Sequence, residues 1–150
     1  DRAAARAAAE ASLGKKADYT PAILLLADIS LAEGNLSEAI QAVEAAAFLE
    51  PQNSQLHYQL GLLNLQAQRY EEARSAFSAA LRANPEYANA SFFLGQAVYE
   101  LGDREEALRI FTALDEKHPD NESLEKVIDD ILRGTDPFPA AGEDVKTPTE

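Results

Sequence analysis

The chain has no cysteine and no methionine, few aromatic residues, half as many basic as acidic residues and no long apolar run. Without cysteine there is no disulfide framework, no thiolate metal site and no thiol nucleophile. Methionine is missing even at position 1, and the chain opens in mid-pattern at Asp1, so it reads as a piece of something longer. The run Ile23 to Ala27 is far short of the roughly 18 residues that span a bilayer, and no basic segment precedes it as in a signal peptide. No direct membrane insertion is expected of this stretch. The formal net charge is −13, and its distribution is uneven. Between Lys16 and Arg69 there is neither Lys nor Arg, while Asp18, Asp28, Glu33, Glu38, Glu44 and Glu50 fall in that interval. Such a surface repels phosphate backbones and anionic headgroups, which speaks against nucleic acid and membrane surfaces as partners. An apolar or basic protein or peptide fits better; the plain alternative is that the acidity serves solubility.

What the chain does have is a period. Pro51, Pro85 and Pro119 are spaced 34 residues apart, and so are Ala39, Ala73 and Ala107, Leu26, Leu60 and Leu94, and Val43, Phe77 and Phe111. Residues of like size at one fixed spacing mean one supersecondary unit, copied and stacked. Leu60-Gly61, Ala73-x3-Phe77 and Pro85 mark the central copy; Leu94-Gly95, Ala107-x3-Phe111 and Pro119 mark the third; Leu26-Ala27, Ala39-x3-Val43 and Pro51 mark a looser first. This skeleton resembles the tetratricopeptide repeat. The two large aromatic positions of that family are largely missing: Ile23, His57 and Ser91 hold one, and Ser30, Asn64 and Val98 the other.

Within a copy the apolar positions recur at helical spacing. The expected helices are 20–33 and 36–49, then 54–67 and 70–83, then 88–101 and 104–117, grouped as repeats 20–53, 54–87 and 88–121. Thr20 is the expected N-cap before Pro21. Asn35 with Glu38, and Asp103 with Glu106, read as capping boxes. Gly34 and Gly102 stand where a left-handed residue ends a helix, and Gln68 takes that place in the middle copy. Small residues at Gly61 and Gly95 (Ala27 in copy one) are expected to face Ala73, Ala107 and Ala39 and let each helix pair approach closely. Residues 1–19 read as the second helix of a truncated preceding repeat, rich in alanine but poor in large apolar side chains, hence frayed or dependent on what lies upstream. Residues 122–133, with a stripe of Leu124, Ile128, Ile131 and Leu132, read as a capping helix. Asp129 stands there where earlier copies have glycine, so no further helix is expected to pack on it. Residues 134–150, with Pro137, Pro139, Pro148 and Gly142, read as a disordered tail; the sharper reading is that Phe138, between two prolines, docks in a groove. The fold expected is all-α, a right-handed α-solenoid.

Catalytic chemistry finds no footing. His57 shares its register with Ile23 and Ser91, a packing position, and His118 stands before Pro119 at a helix end, where a cation suits the helix dipole. Glu71-Glu72, Glu105-Glu106 and Asp129-Asp130 are neighbours in sequence, so on a helix they point about 100° apart and share no site. Every glycine of the repeats is accounted for by joints and packing, leaving no phosphate loop. No enzyme activity, cofactor or metal is expected.

The resemblance implies a concave groove lined by the first helices of successive repeats. Its lining here would be Leu24, Asp28 and Leu31 from copy one, Gln55, Tyr58, Leu62 and Leu65 from copy two, Asn89, Phe92, Gln96 and Tyr99 from copy three, and Lys126 and Asp130 from the cap. The Lys, Arg and Asn clamp with which some relatives hold an acidic C-terminus is missing. The groove is instead aromatic and aliphatic, with Tyr58, Phe92 and Tyr99 as expected anchors. Side chains that lean into the next repeat would be core instead, Phe92 first among them. The function implied is a non-catalytic scaffold for protein–protein interaction. The alternative is a structural or self-associating spacer, a homo-oligomer within a larger membrane-associated or secreted protein.

Overall fold

The structure, a computed structural model, describes residues 1–139 of the 150. The remainder of the expected tail, 140–150, lies outside the described residues. Among the described residues there are eight helices and no strand: α1 (Arg2–Lys15), α2 (Thr20–Ala32), α3 (Leu36–Leu49), α4 (Ser54–Gln66), α5 (Tyr70–Ala83), α6 (Ala88–Glu100), α7 (Arg104–Lys117) and α8 (Glu122–Arg133). The six helices read from the period start and stop within a residue or so of these bounds. Each helix packs on the next in sequence, and α4 also touches α6. This is an all-α solenoid, in which a unit touches only its neighbours. Its core is accordingly a string of small clusters: Ile23, Ala46, Ala47 and Leu56; then Ala27, Ala39, Ile40, Val43 and Leu63; then Ala73, Phe77, Ala80, Ala90 and Ala97; then Val98, Ala107, Phe111, Leu114, Leu124, Val127 and Ile131.

The local signals hold in part. Asn53, Asp103 and Asn121 each accept a backbone N–H three residues on, satisfying a donor the helix cannot. Gln68 takes φ +57°, matching Gly34 at +80° and Gly102 at +89°, so the joint imposes the left-handed conformation whatever the residue. Two expectations need correction. Thr20 is not the N-cap: it already lies in α2, whose flanking residue is Tyr19, with no side-chain cap. Asn35 makes no cap either, and Glu38 is taken instead by Arg6 of α1, whose Nη1 donates to its Oε1 at 3.0 Å. The small residues Gly61 and Gly95 are closed over by the rings of Phe77 and Phe111: a Cβ on Gly61 would run into the Phe77 ring, and one on Gly95 would lie 2.7 Å from Phe111 Cζ.

Helix α1 buries Ala9 and little else, yet it is regular. Arg6 holds it to the next pair, donating to Glu33 at 2.8 Å and Ser30 Oγ at 3.4 Å as well as to Glu38. The count of apolar side chains did not show this guanidinium contact. On α8 the buried stripe is Leu124, Val127 and Ile131, while Leu132 is two-thirds exposed. Asp129 faces solvent and pairs with Arg133 at 2.9 Å.

Candidate functional site

The residues expected to line one groove lie on α2, α4, α6 and α8, and the structure sorts them into three hollows. The first is a cleft of 220 Å³ between α2 and α4, lined by Leu24, Asp28, Leu31 and Leu62 together with Ala27, Val43, Gln59 and Leu63. Asp28 is exposed, and Leu31 keeps 38% of its surface. The second, of 320 Å³, joins Leu65 and Gln96 to Tyr70, Glu100, Asp136 and Phe138. The third, of 220 Å³, holds Asn89 and Phe92 beside Leu114, His118 and Leu124. Gln55 stands apart, its Oε1 accepting the Tyr87 hydroxyl at 2.6 Å. Lys126 also stands apart, its Nζ on Asp130 at 2.7 Å. The hydrogen bonds from Lys126, and then from Thr135, hold the Asp130 carboxyl below its ordinary range.

What interrupts the face is a row of aromatic side chains. Tyr58 meets Tyr87 at 4.9 Å between ring centroids, and Phe77 and Phe93 each at 6.0 Å. Burial, with the neighbouring Tyr87, raises the Tyr58 phenol above its ordinary value. Phe92 stands edge-on to Phe93 and to Phe111, each at 5.5 Å, and so packs into the core around Phe111. Tyr58 and Phe92 therefore do not stand free as anchors. Aromatic rings gain most by packing edge to face, and the adjacent helix supplies partners. Phe93 and Tyr87 were not read as part of this face. Their counterparts one period upstream are Gln59 and Asn53, so no repeat signal could have pointed to them. Tyr99 lies under the Arg104 guanidinium at 5.8 Å and against Phe138 at 5.8 Å.

A larger hollow, 540 Å³, opens away from these residues, between Ile40, Glu44, His57 and Leu60 on one side and Arg69, Glu72 and Ala76 on the other. His57 at its wall donates from Nε2 to the Pro51 carbonyl at 2.9 Å, a structural contact. Among the described residues no group of three or more His, Cys, Asp or Glu is placed to hold a metal ion, and no helix is long and apolar enough to cross a membrane.

A string of helix pairs with a lined face defines a helical-repeat solenoid, an architecture that presents an extended binding surface. Residues 58–122 match the family model of the tetratricopeptide repeat, and the chain shares the fold of solved structures of that repeat. A crystal structure of MamA superposes with a TM-score of 0.76 at 20% identity, covering 86% of this chain and 75% of that one. The second TPR domain of the human RPAP3 protein, in complex with the HSP70 peptide SGPTIEEVD, gives 0.64 at 24%, covering 71% and 88%. YrrB, described as a TPR protein with an unusual peptide-binding site, gives 0.67 at 19%, covering 85% and 66%. No curated protein matches the chain at the sequence level.

Proposed function

We propose that this chain is a non-catalytic scaffold that binds a segment of a partner protein on the first-helix face, with the α2–α4 cleft as its open end. The observation that carries this reading is the cleft itself: Leu24, Leu31 and Leu62 form apolar walls around a 220 Å³ space, and Asp28 stands at the rim. The similar RPAP3 domain holds a peptide ending in EEVD. An acidic tail of that kind is a poor fit here, because no Lys or Arg occurs between positions 16 and 69. The cleft suits a large apolar side chain followed by Lys or Arg, whose charge meets Asp28. Selection from a random peptide library on the immobilised full chain tests this. The expected result is enrichment of an aromatic or aliphatic residue beside a basic one, with binding lost in an Asp28→Lys, Leu31→Ser variant. Enrichment of acidic sequences, or unchanged binding by the variant, overturns it.

A second reading, self-association as part of a larger assembly, rests on a different surface. Phe48 on α3 is 84% exposed, and with Leu49, Ile23 and Ala17 it borders a 490 Å³ hollow. An aromatic side chain left so bare beside an apolar hollow suits contact with a second copy.

A further inference from the structure

Residues 134–139 do not leave the molecule. Gly134 closes the helix at φ +75°. The Thr135 N–H and Oγ1 then both donate to the Asp130 carbonyl, at 2.9 and 3.0 Å, and the hydroxyl also reaches Asp130 Oδ1 at 3.0 Å. Asp136 Oδ1 accepts the Phe138 N–H at 2.9 Å. These bonds turn the chain back so that Phe138, half-buried, stands edge-on to Phe92 at 6.1 Å and to Tyr99 at 5.8 Å, and tilted on Phe111 at 6.1 Å. Two of those three rings are residues of the first-helix face.

We propose that residues 134–139 are an internal ligand of this face, covering Phe92 and Tyr99, and that they must leave before a partner segment can reach those rings. The repeat supplies the comparison that separates a ligand from a piece of core. Two periods upstream, the places of Phe92, Tyr99 and Phe111 are taken by Leu24, Leu31 and Val43, and these line the open α2–α4 cleft. One period upstream they are Tyr58, Leu65 and Phe77, and there Phe93 from the next helix closes over Tyr58 and Phe77. Among the described residues the same position thus stays open beside Gln59 in copy one, is covered by Phe93 in copy two and, in copy three, where α8 offers Val127 at that register, is covered by a non-helical segment. The array does not need this position occupied in order to stack. The segment also lies against unfavourable charge. Asp136 shares a hollow with Glu100, and burial together with the Asp136 charge raises the Glu100 carboxyl above its ordinary range. Apolar ring contact holds the segment in place against like-charge repulsion, which makes it removable.

The regulatory part of this inference rests on the partner-binding reading above; the covering itself does not, and it is measured without any partner. The probe is the neutral apolar dye Nile red, titrated into the full chain as wild type, Phe138→Ala, and Phe138→Ala with Phe92→Ala. Uncovering the rings is expected to tighten dye binding about tenfold in F138A, and adding F92A is expected to return it towards wild type. Equal binding by wild type and F138A overturns the proposal. So does a further rise in the double variant, which reports a loosened core rather than an uncovered face. In a second arm, a capped peptide of residues 134–139 is expected to displace the dye from F138A at about millimolar concentration, and the same peptide with alanine for Phe138 to leave it bound. A native peptide that displaces nothing overturns the ligand assignment. If F138A uncovers the dye site while the Asp28→Lys, Leu31→Ser variant still binds every selected peptide, the partner reading falls and the internal ligand stands.

Discussion

Arg6 shows how much a single side chain decides here. It joins α1 to two carboxylates of the next helix pair, Glu33 and Glu38, and to Ser30. The hydrogen bond from Arg6, and then that from Ser30, holds the Glu38 carboxyl below its ordinary range. The sign of the pH effect follows from that direction. A depressed carboxyl contributes its stabilisation fully above its unfolded pKa, about 4.3, and loses it as the pH falls through the lower folded value. Carboxyl carbon NMR is expected to find the Glu38 midpoint below the ordinary glutamate value of about 4.3, and to find it raised in Arg6→Ala. A Glu38 midpoint unmoved by Arg6→Ala contradicts the bridge. Ser30 and Asn64 make a related point. Both are buried where the family has a large aromatic residue, and both donate to the carbonyl four residues back, Leu26 at 2.8 Å and Leu60 at 2.9 Å. Each therefore satisfies its own polar group inside the helix, so a polar residue costs little at an interior position.

At the scale of the element, the helix pair is set by glycine against phenylalanine. Gly61 on α4 and Phe77 on α5 share one space, and Gly95 with Phe111 repeats the contact on α6 and α7. Phe77 and Phe111 have no exposed surface, so neither ring can swing outward to make room. Gly61→Ala gains helix propensity of up to about 1 kcal/mol, but it drives a methyl group into a fully buried ring, and overpacking of that kind costs roughly 1–3 kcal/mol. The expected net result is a lower urea midpoint for G61A with unchanged helical circular dichroism, and a rise in midpoint would mean that the ring yields. The helices themselves were legible because apolar spacing, an A-x3-F step and Asn or Asp caps act within one or two turns and recur every 34 residues. Their partners were not. The period put alanine opposite glycine but did not show that the Phe77 and Phe111 rings also press on those glycines, because a Phe side chain reaches past its own backbone position.

For the whole molecule, the open question is which surface meets another protein. The acidic α2–α4 end and the bare Phe48 belong to different parts of the array, so the two readings are separable. Light scattering of wild type and Phe48→Ser across a concentration series is expected to show association weakened by the substitution if Phe48 is a contact between copies. Identical masses at every concentration would remove the self-association reading and leave the peptide-selection result untouched. The sequence by itself determined the class of fold, the helix bounds and the clamp-free, largely apolar make-up of the first-helix positions. Those follow from spacing, capping and charge, which are local or additive along a chain. Only the tertiary structure decided which face residues are open. Phe93 closes over Tyr58, Phe138 returns over Phe92 and Tyr99, and among the described residues nothing closes the cleft of Leu24 and Leu31. Occupancy of that kind depends on side chains that meet across helices and lie outside the period, so a pattern confined to one repeat carries no trace of it.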